Sequence, residues 1–128
     1  MKIGSYIKIY LVFTLLLIIS SASFADQIDD HIKAGDEFFA LGDKTEAATH
    51  YNKAAFLLRN ANRKEEAIVY YEKVLKINQE VSNQRGIVLT RDNLSMLYTE
   101  TEQYEKAIEY LKVNLEFYTH EKNTKQII

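Results

Sequence analysis

The residues with chemical reach in this chain are three histidines (His31, His50 and His120), a few paired carboxylates and an excess of tyrosine. A metal centre needs ligands that converge on one point, often two His at i, i+4 with a carboxylate. No His pair has that spacing. Asp29, Asp30 and His31 are consecutive, so they point to different sides of a helix and read as an acidic first turn complementing the helix dipole. His50, beside Tyr51, reads as a surface or groove residue, and His120 as a solvated residue near the tail. Glu65–Glu66 and Glu100–Glu102 would need a cleft and displaced pKa values to act as acid and base. They fall at helix starts, where negative charge is stabilising without any chemistry. No phosphate-binding glycine loop, GxGxxG or GxSxG occurs. The expectation is no catalytic residue, no metal site and no cofactor.

Tyrosine is over-represented, with nine Tyr against no Trp. Tyr70, Tyr71, Tyr98, Tyr104, Tyr110 and Tyr118 recur at helical positions. They read first as packing between helices. A few could instead line a peptide groove, because Tyr offers a large contact area at low entropic cost.

The elements that must position these residues are helices. Apolar residues recur at helical spacing over about residues 28–41, 45–60, 64–79, 84–99 and 103–120. The absence of proline leaves every ladder intact, and no alternating run bounded by turn dipeptides supports a strand. Gly42 suits the left-handed residue that ends a helix. Asp43 stands three before Glu46, a capping-box spacing. Asn60 and Asn62 serve the next gap, and Asn62 likewise precedes Glu65 by three. Ser82 and Asn83 are candidate caps for the fourth helix, Thr99 and Thr101 for the fifth. Links this short force antiparallel hairpins.

The first 25 residues stand apart. Lys2 and Lys8 give a positive start, residues 9–19 form an uncharged apolar run, and Ser23 and Ala25 are small. That is the plan of a secretory signal with cleavage between Ala25 and Asp26. The run is shorter than the roughly 20 residues of a membrane span. An uncleaved anchor is the rival reading, a buried core helix the third, and a lipid anchor is excluded because there is no cysteine. Removing this segment takes away two lysines and no acids, leaving a chain more acidic than the overall formal charge of −2. Such a balance argues against nucleic acid.

One stretch is nearly said twice. Glu65, Ala67, Ile68, Tyr70 and Leu75 return forty residues on as Glu105, Ala107, Ile108, Tyr110 and Leu115. A shorter echo links Lys44, Glu46, Ala47, Tyr51 and Lys53 to Lys64, Glu66, Ala67, Tyr71 and Lys73. A fixed period of this kind means stacked units, none of which buries its apolar face alone. Small Ala47, Ala67 and Ala107 let backbones approach, and Tyr51, Tyr71 and Leu111 fill the space one turn on.

These residues resemble the tetratricopeptide repeat family. Gly35 and Phe38 precede Ala47 and Tyr51; Ala55 and Leu58 precede Ala67 and Tyr71; Ser95 and Tyr98 precede Ala107 and Leu111. The closing proline of the family is missing, and Glu102 stands where Gly is usual, so that turn is expected to be tighter or differently shaped. The resemblance implies an all-α, right-handed solenoid of antiparallel hairpins over residues 26–122. Residues 123–128 echo Asn83, Arg85, Ile87 and Val88 and read as the start of another repeat, hence as a sign of a truncated longer protein. The resemblance also implies a protein or peptide partner, held on a concave face that would carry Leu89, Asp92, Met96 and Thr99 on the fourth helix. The Lys and Asn that grip a terminal carboxylate in some members are absent from Asp92 and Met96, which suit an apolar or basic segment better. The expected function is an exported, non-catalytic interaction scaffold, with self-association through apolar surface on the last helix. The alternative is the extracytoplasmic part of a membrane sensor of the histidine-kinase kind.

Overall fold

The chain turns at Gly42, Asn62, Ser82 and Glu102, four positions spaced by twenty residues and all at positive φ (82°, 60°, 55° and 61°). At each, the same two hydrogen bonds close the preceding helix. The N–H of Gly42 donates to Phe39 O and that of Asp43 to Phe38 O; the pairs at Asn62, Ser82 and Glu102 repeat them at equivalent positions. This double closure satisfies carbonyls that a helix end leaves orphaned. Four identical turns convert the sequence period into a structural one.

The computed structural model describes residues 3–126, apart from the side chains of residues 21, 22 and 126. It contains α1 (Ile3–Ala40), α2 (Lys44–Asn60), α3 (Lys64–Glu80), α4 (Gln84–Glu100) and α5 (Tyr104–Gln126). No strand occurs among the described residues. Among the described residues, the close backbone contacts are those between helices adjacent in sequence, the arrangement of a helical solenoid.

Helix starts are only partly those the spacing predicts. Asp43 and Asn83 cap α2 and α4 with their side chains, accepting from the N–H of Glu46 and Gly86. Asn62 does not cap α3, because it is the left-handed residue of the turn. Arg63 takes the cap position without a side-chain cap bond and instead grips Glu66 through two 2.7 Å contacts. Thr99 and Thr101 do not cap α5 either: Thr99 lies inside α4, and Thr101 closes α4, with its hydroxyl donating to Leu97 O. Glu102 makes the same turn as Gly42 rather than a tighter one.

The core follows the small residues. Ala47, Ala54, Ala55 and Ala67 are fully buried, with Tyr51, Tyr71 and Ala107 close to it. A methyl on Gly35 would lie 2.6 Å from the Tyr51 ring, so α1 and α2 close together only because that position has no side chain. Leu111 departs from its expected packing role and is 49% exposed. Its Tyr51 and Tyr71 equivalents sit on helices with a neighbour on each side, whereas among the described helices the backbone of α5 lies close to that of α4 alone.

Two stretches run longer than the sequence spacing implies. α1 continues unbroken across Ala25 and Asp26, and Phe24 packs against the core formed by Ile28, Ala55 and Leu58. Its N-terminal part is exposed, and with a mean hydropathy of 2.0 it is long and apolar enough to cross a membrane. α5 continues through Asn123 with no turn; the Ile127 and Ile128 of the expected repeat start lie outside the described residues.

Candidate functional site

Three-residue links make α2 and α4 run parallel, with α3 between and behind them. The result is a groove of about 510 Å³ whose walls are Thr45, Thr49, Asn52 and Lys53 of α2 and Gly86, Leu89 and Thr90 of α4. Val74 and Asn78 of α3 form its floor. A second hollow of about 380 Å³ continues it past Asn52 and Lys53 to Phe56, Asn93, and Gln27 and His31 of α1. At the far end Arg59 and Glu100 bridge α2 to α4 at 2.5 Å, and Lys64 reaches Glu100 at 3.4 Å. Those two cations, Arg59 foremost, hold the Glu100 carboxyl below its ordinary range.

The near end is built from amides. Buried Asn78 donates to Thr90 Oγ1 and accepts from Asn83 Nδ2, while the Thr90 hydroxyl donates to Gly86 O. A Cβ on Gly86 would fall within 2.7 Å of both Asn side chains, so the glycine keeps this corner closed. Farther along, Asn52 is exposed and Asn93 half-buried. Neither amide finds a hydrogen-bond partner among the described residues, and Lys53 makes no ion pair there.

Of the four residues expected on this face of α4, Leu89 lines the groove and Met96 and Thr99 are exposed. The Thr99 hydroxyl is turned back onto Ser95 O. Asp92 faces away, toward α5: Asn114 Nδ2 donates to its Oδ1 at 2.7 Å and the Tyr118 hydroxyl reaches Oδ2 at 3.4 Å. Asp92, expected beside Met96, is thus engaged by α5. No carboxylate lines either hollow, and the charge there is that of Lys53. Asn114 also donates to Val88 O, and its Oδ1 is the one buried side-chain oxygen without a partner among the described residues.

A family model described as tetratricopeptide repeat matches residues 45–119, more than half of the chain. The chain belongs to the tetratricopeptide repeat family. The matched span begins in α2 and ends in α5, and α2 and α4 flank the groove. The pair of Gly35 and Phe38 on α1 lies before the match. A comparison with curated proteins returns no match. Tetratricopeptide repeats typically serve as non-catalytic modules for protein–protein interaction.

Two polar contacts of this repeat protein escape the reading of its sequence. His31 and His50, taken singly, meet across α1 and α2 with their Nδ1 atoms 3.1 Å apart, and His50 stacks on Phe38. Glu72 accepts from the hydroxyls of both Tyr98 and Tyr110, at 2.8 and 2.9 Å on one oxygen. Burial first, then that carboxylate, raises both phenols, with Tyr110 pushed up to about 12. Tyr51 is raised likewise by burial and by its 2.7 Å bond to Asp36. Groups of three or more acidic or imidazole ligands able to hold a metal are absent among the described residues.

Proposed function

We propose that the chain is a non-catalytic scaffold, exported to the cell envelope, that holds an extended peptide segment of a partner between α2 and α4. What carries this reading is the pair of free carboxamides, Asn52 and Asn93, on facing walls of one groove. A carboxamide can donate to a backbone carbonyl and accept from a backbone N–H at once. Exposed Phe56, Leu89 and Met96 alongside supply apolar contact. Lys53, with no carboxylate among the residues lining either hollow, favours an acidic residue in the partner rather than the basic one Asp92 alone would suggest.

A display library of random peptides, selected on the protein, tests this. Peptides that lose about tenfold in affinity on Asn52→Ala with Asn93→Ala, and that lose an acidic preference on Lys53→Glu, support the groove. Selected peptides that bind those variants as tightly as wild type sink it. Asp92→Lys should leave their binding unchanged.

Export rests on the positive start, the apolar run and the small Ser23 and Ala25. A second reading, a repeat region tied to a membrane as in a sensor, is favoured by one observation: α1 is unbroken from Ile3 to Ala40, and Phe24 packs on the core. The mass of the product made in a secreting bacterium separates the two: a chain beginning at Asp26 selects the exported form.

A further inference from the structure

Of the two hollows along the groove, the second holds a histidine. His31 lines it together with Gln27 of α1, Asn52 and Lys53 of α2 and Asn93 of α4. Behind His31 stands His50, its ring stacked on Phe38. The two Nδ1 atoms are 3.1 Å apart and the ring centres 5.3 Å, so the nitrogens point almost straight at one another. A metal ion on that line would need about 4 Å between the nitrogens, at roughly 2 Å per bond. A hydrogen bond fits the gap, and it commits Nδ1 of His31 to His50. Nε2 is the nitrogen left to the hollow.

On the reading of the groove as a peptide site, we infer that this hollow takes a carboxylate side chain of the partner together with a proton at His31, so that acidic segments are held more tightly as pH falls. Among the described residues, Lys53 is the one side chain lining the hollow that is ionised at neutral pH, and the Asn52 and Asn93 amides are free to donate. An entering anion therefore meets a cation and donors and no carboxylate. With His31 as donor to His50, an extra proton at its Nε2 leaves that hydrogen bond in place. The groups facing His31 set the balance. Burial opposes its charge most; His50 and Lys53 on α2 oppose it further, and Asp30 on α1 favours it. Tyr71 of α3 stays neutral, its pKa raised by burial, and α4 brings the Asn93 amide. Without a ligand, His31 is thus harder to protonate than an ordinary histidine. A carboxylate beside Lys53 offsets that cation and attracts the new one, so in the complex His31 takes its proton at higher pH. By linkage, affinity rises as pH falls through the bound value and levels off below the free one.

NMR of the full chain tests this, in a non-ionic detergent that masks the apolar start of α1. The probe is a blocked peptide of alternating alanine and glutamate; the control has glutamine for each glutamate. His31→Asn, His50→Asn and His120→Asn assign the ring signals. The side-chain amides of Asn52 and Asn93 report occupancy of the groove independently of the histidines. The glutamate peptide should shift those amides and raise the His31 midpoint by about half to one pH unit, leaving His120 where it was. It should bind about three- to tenfold tighter at about pH 5.5 than at about pH 7.5, its own carboxylates being ionised at both. His31→Asn should flatten that dependence. Amides that respond while the His31 midpoint stays put would overturn the inference and leave the groove reading standing. Amides that stay still would sink the acidic preference and the inference together. An equal rise with the glutamine peptide would also overturn it.

Discussion

His31 and His50 meet nitrogen to nitrogen, their Nδ1 atoms 3.1 Å apart across the contact of α1 with α2. At that distance one Nδ1 donates its proton to the other, and a further proton placed between the rings would set two N–H groups against each other. Burial lowers the His31 pKa first; His50 and Lys53 lower it further, and Asp30 opposes them. The folded value therefore lies below the ordinary 6.5. As pH falls through that ordinary value the unfolded chain takes up its proton first, so stability declines, and the loss is complete only below the folded pKa. Thermal midpoints followed from neutral to mildly acidic pH should fall more steeply for wild type than for His31→Asn. Parallel curves would remove the pair from the acid response.

Glu72 joins α3 to α4 and α5 through a single oxygen. Replacing it with Ala leaves the Tyr98 and Tyr110 hydroxyls without an acceptor. Hydrogen bonds to a charged group contribute about 1.5–3 kcal/mol each when well buried. Glu72 is half-buried, so a loss of about 1–2 kcal/mol in total is expected, measured by urea unfolding. Glu72→Gln keeps an acceptor and should lose less. The phenols give a second measure. Their folded pKa values are raised, so above pH 10, the ordinary value, the unfolded chain ionises first and stability falls with rising pH. In Glu72→Ala, tyrosinate absorbance should develop at lower pH.

Glu102 holds a left-handed conformation with no glycine to relieve it, at φ 61°. That conformation costs an ordinary residue roughly 1–2 kcal/mol, and glycine's extra freedom in the unfolded chain offsets part of the relief. Glu102→Gly should stabilise the protein by about 0.5–1 kcal/mol. Asn62→Gly should gain less, since Asn tolerates the conformation better. Urea midpoints of the two variants, compared with wild type, decide this; a loss on Glu102→Gly would mean that the Glu side chain makes a contribution of its own.

What the sequence reveals and hides here follows from range. The caps at Asp43 and Asn83 are local, a side chain meeting an N–H three residues on, so spacing alone exposes them. Asn62 offers the same spacing to Glu65, but its tolerance of positive φ wins, and the turn claims it. Five helices and their period are legible because small and bulky residues recur twenty and forty residues on. The His31–His50 contact is not, because it depends on the register of two antiparallel helices, which only the turn at Gly42 sets. Asp92 shares a helical stripe with Leu89 and Met96, and nothing local indicates that Asn114, on the next helix, draws it out of the groove.

Gly35 and Tyr51 supply the strictest packing constraint at the start of the solenoid. A Cβ at residue 35 would meet ring carbons of Tyr51 at 2.6 and 2.7 Å. The ring cannot swing aside freely: its hydroxyl donates to Asp36, and the Lys73 ammonium sits 4.9 Å from its centre. In an exposed helix Gly→Ala stabilises by up to about 1 kcal/mol; here overpacking, costing about 1–3 kcal/mol, outweighs it. Gly35→Ala should therefore destabilise the protein by about 1–2 kcal/mol net. Adding Tyr51→Phe removes the tether to Asp36 and frees the ring to tilt. The double variant should then be less destabilised than the two single changes sum to, a coupling that a double-mutant cycle in urea reads directly. Strict additivity would mean that the ring is held by its neighbours rather than by the Asp36 bond.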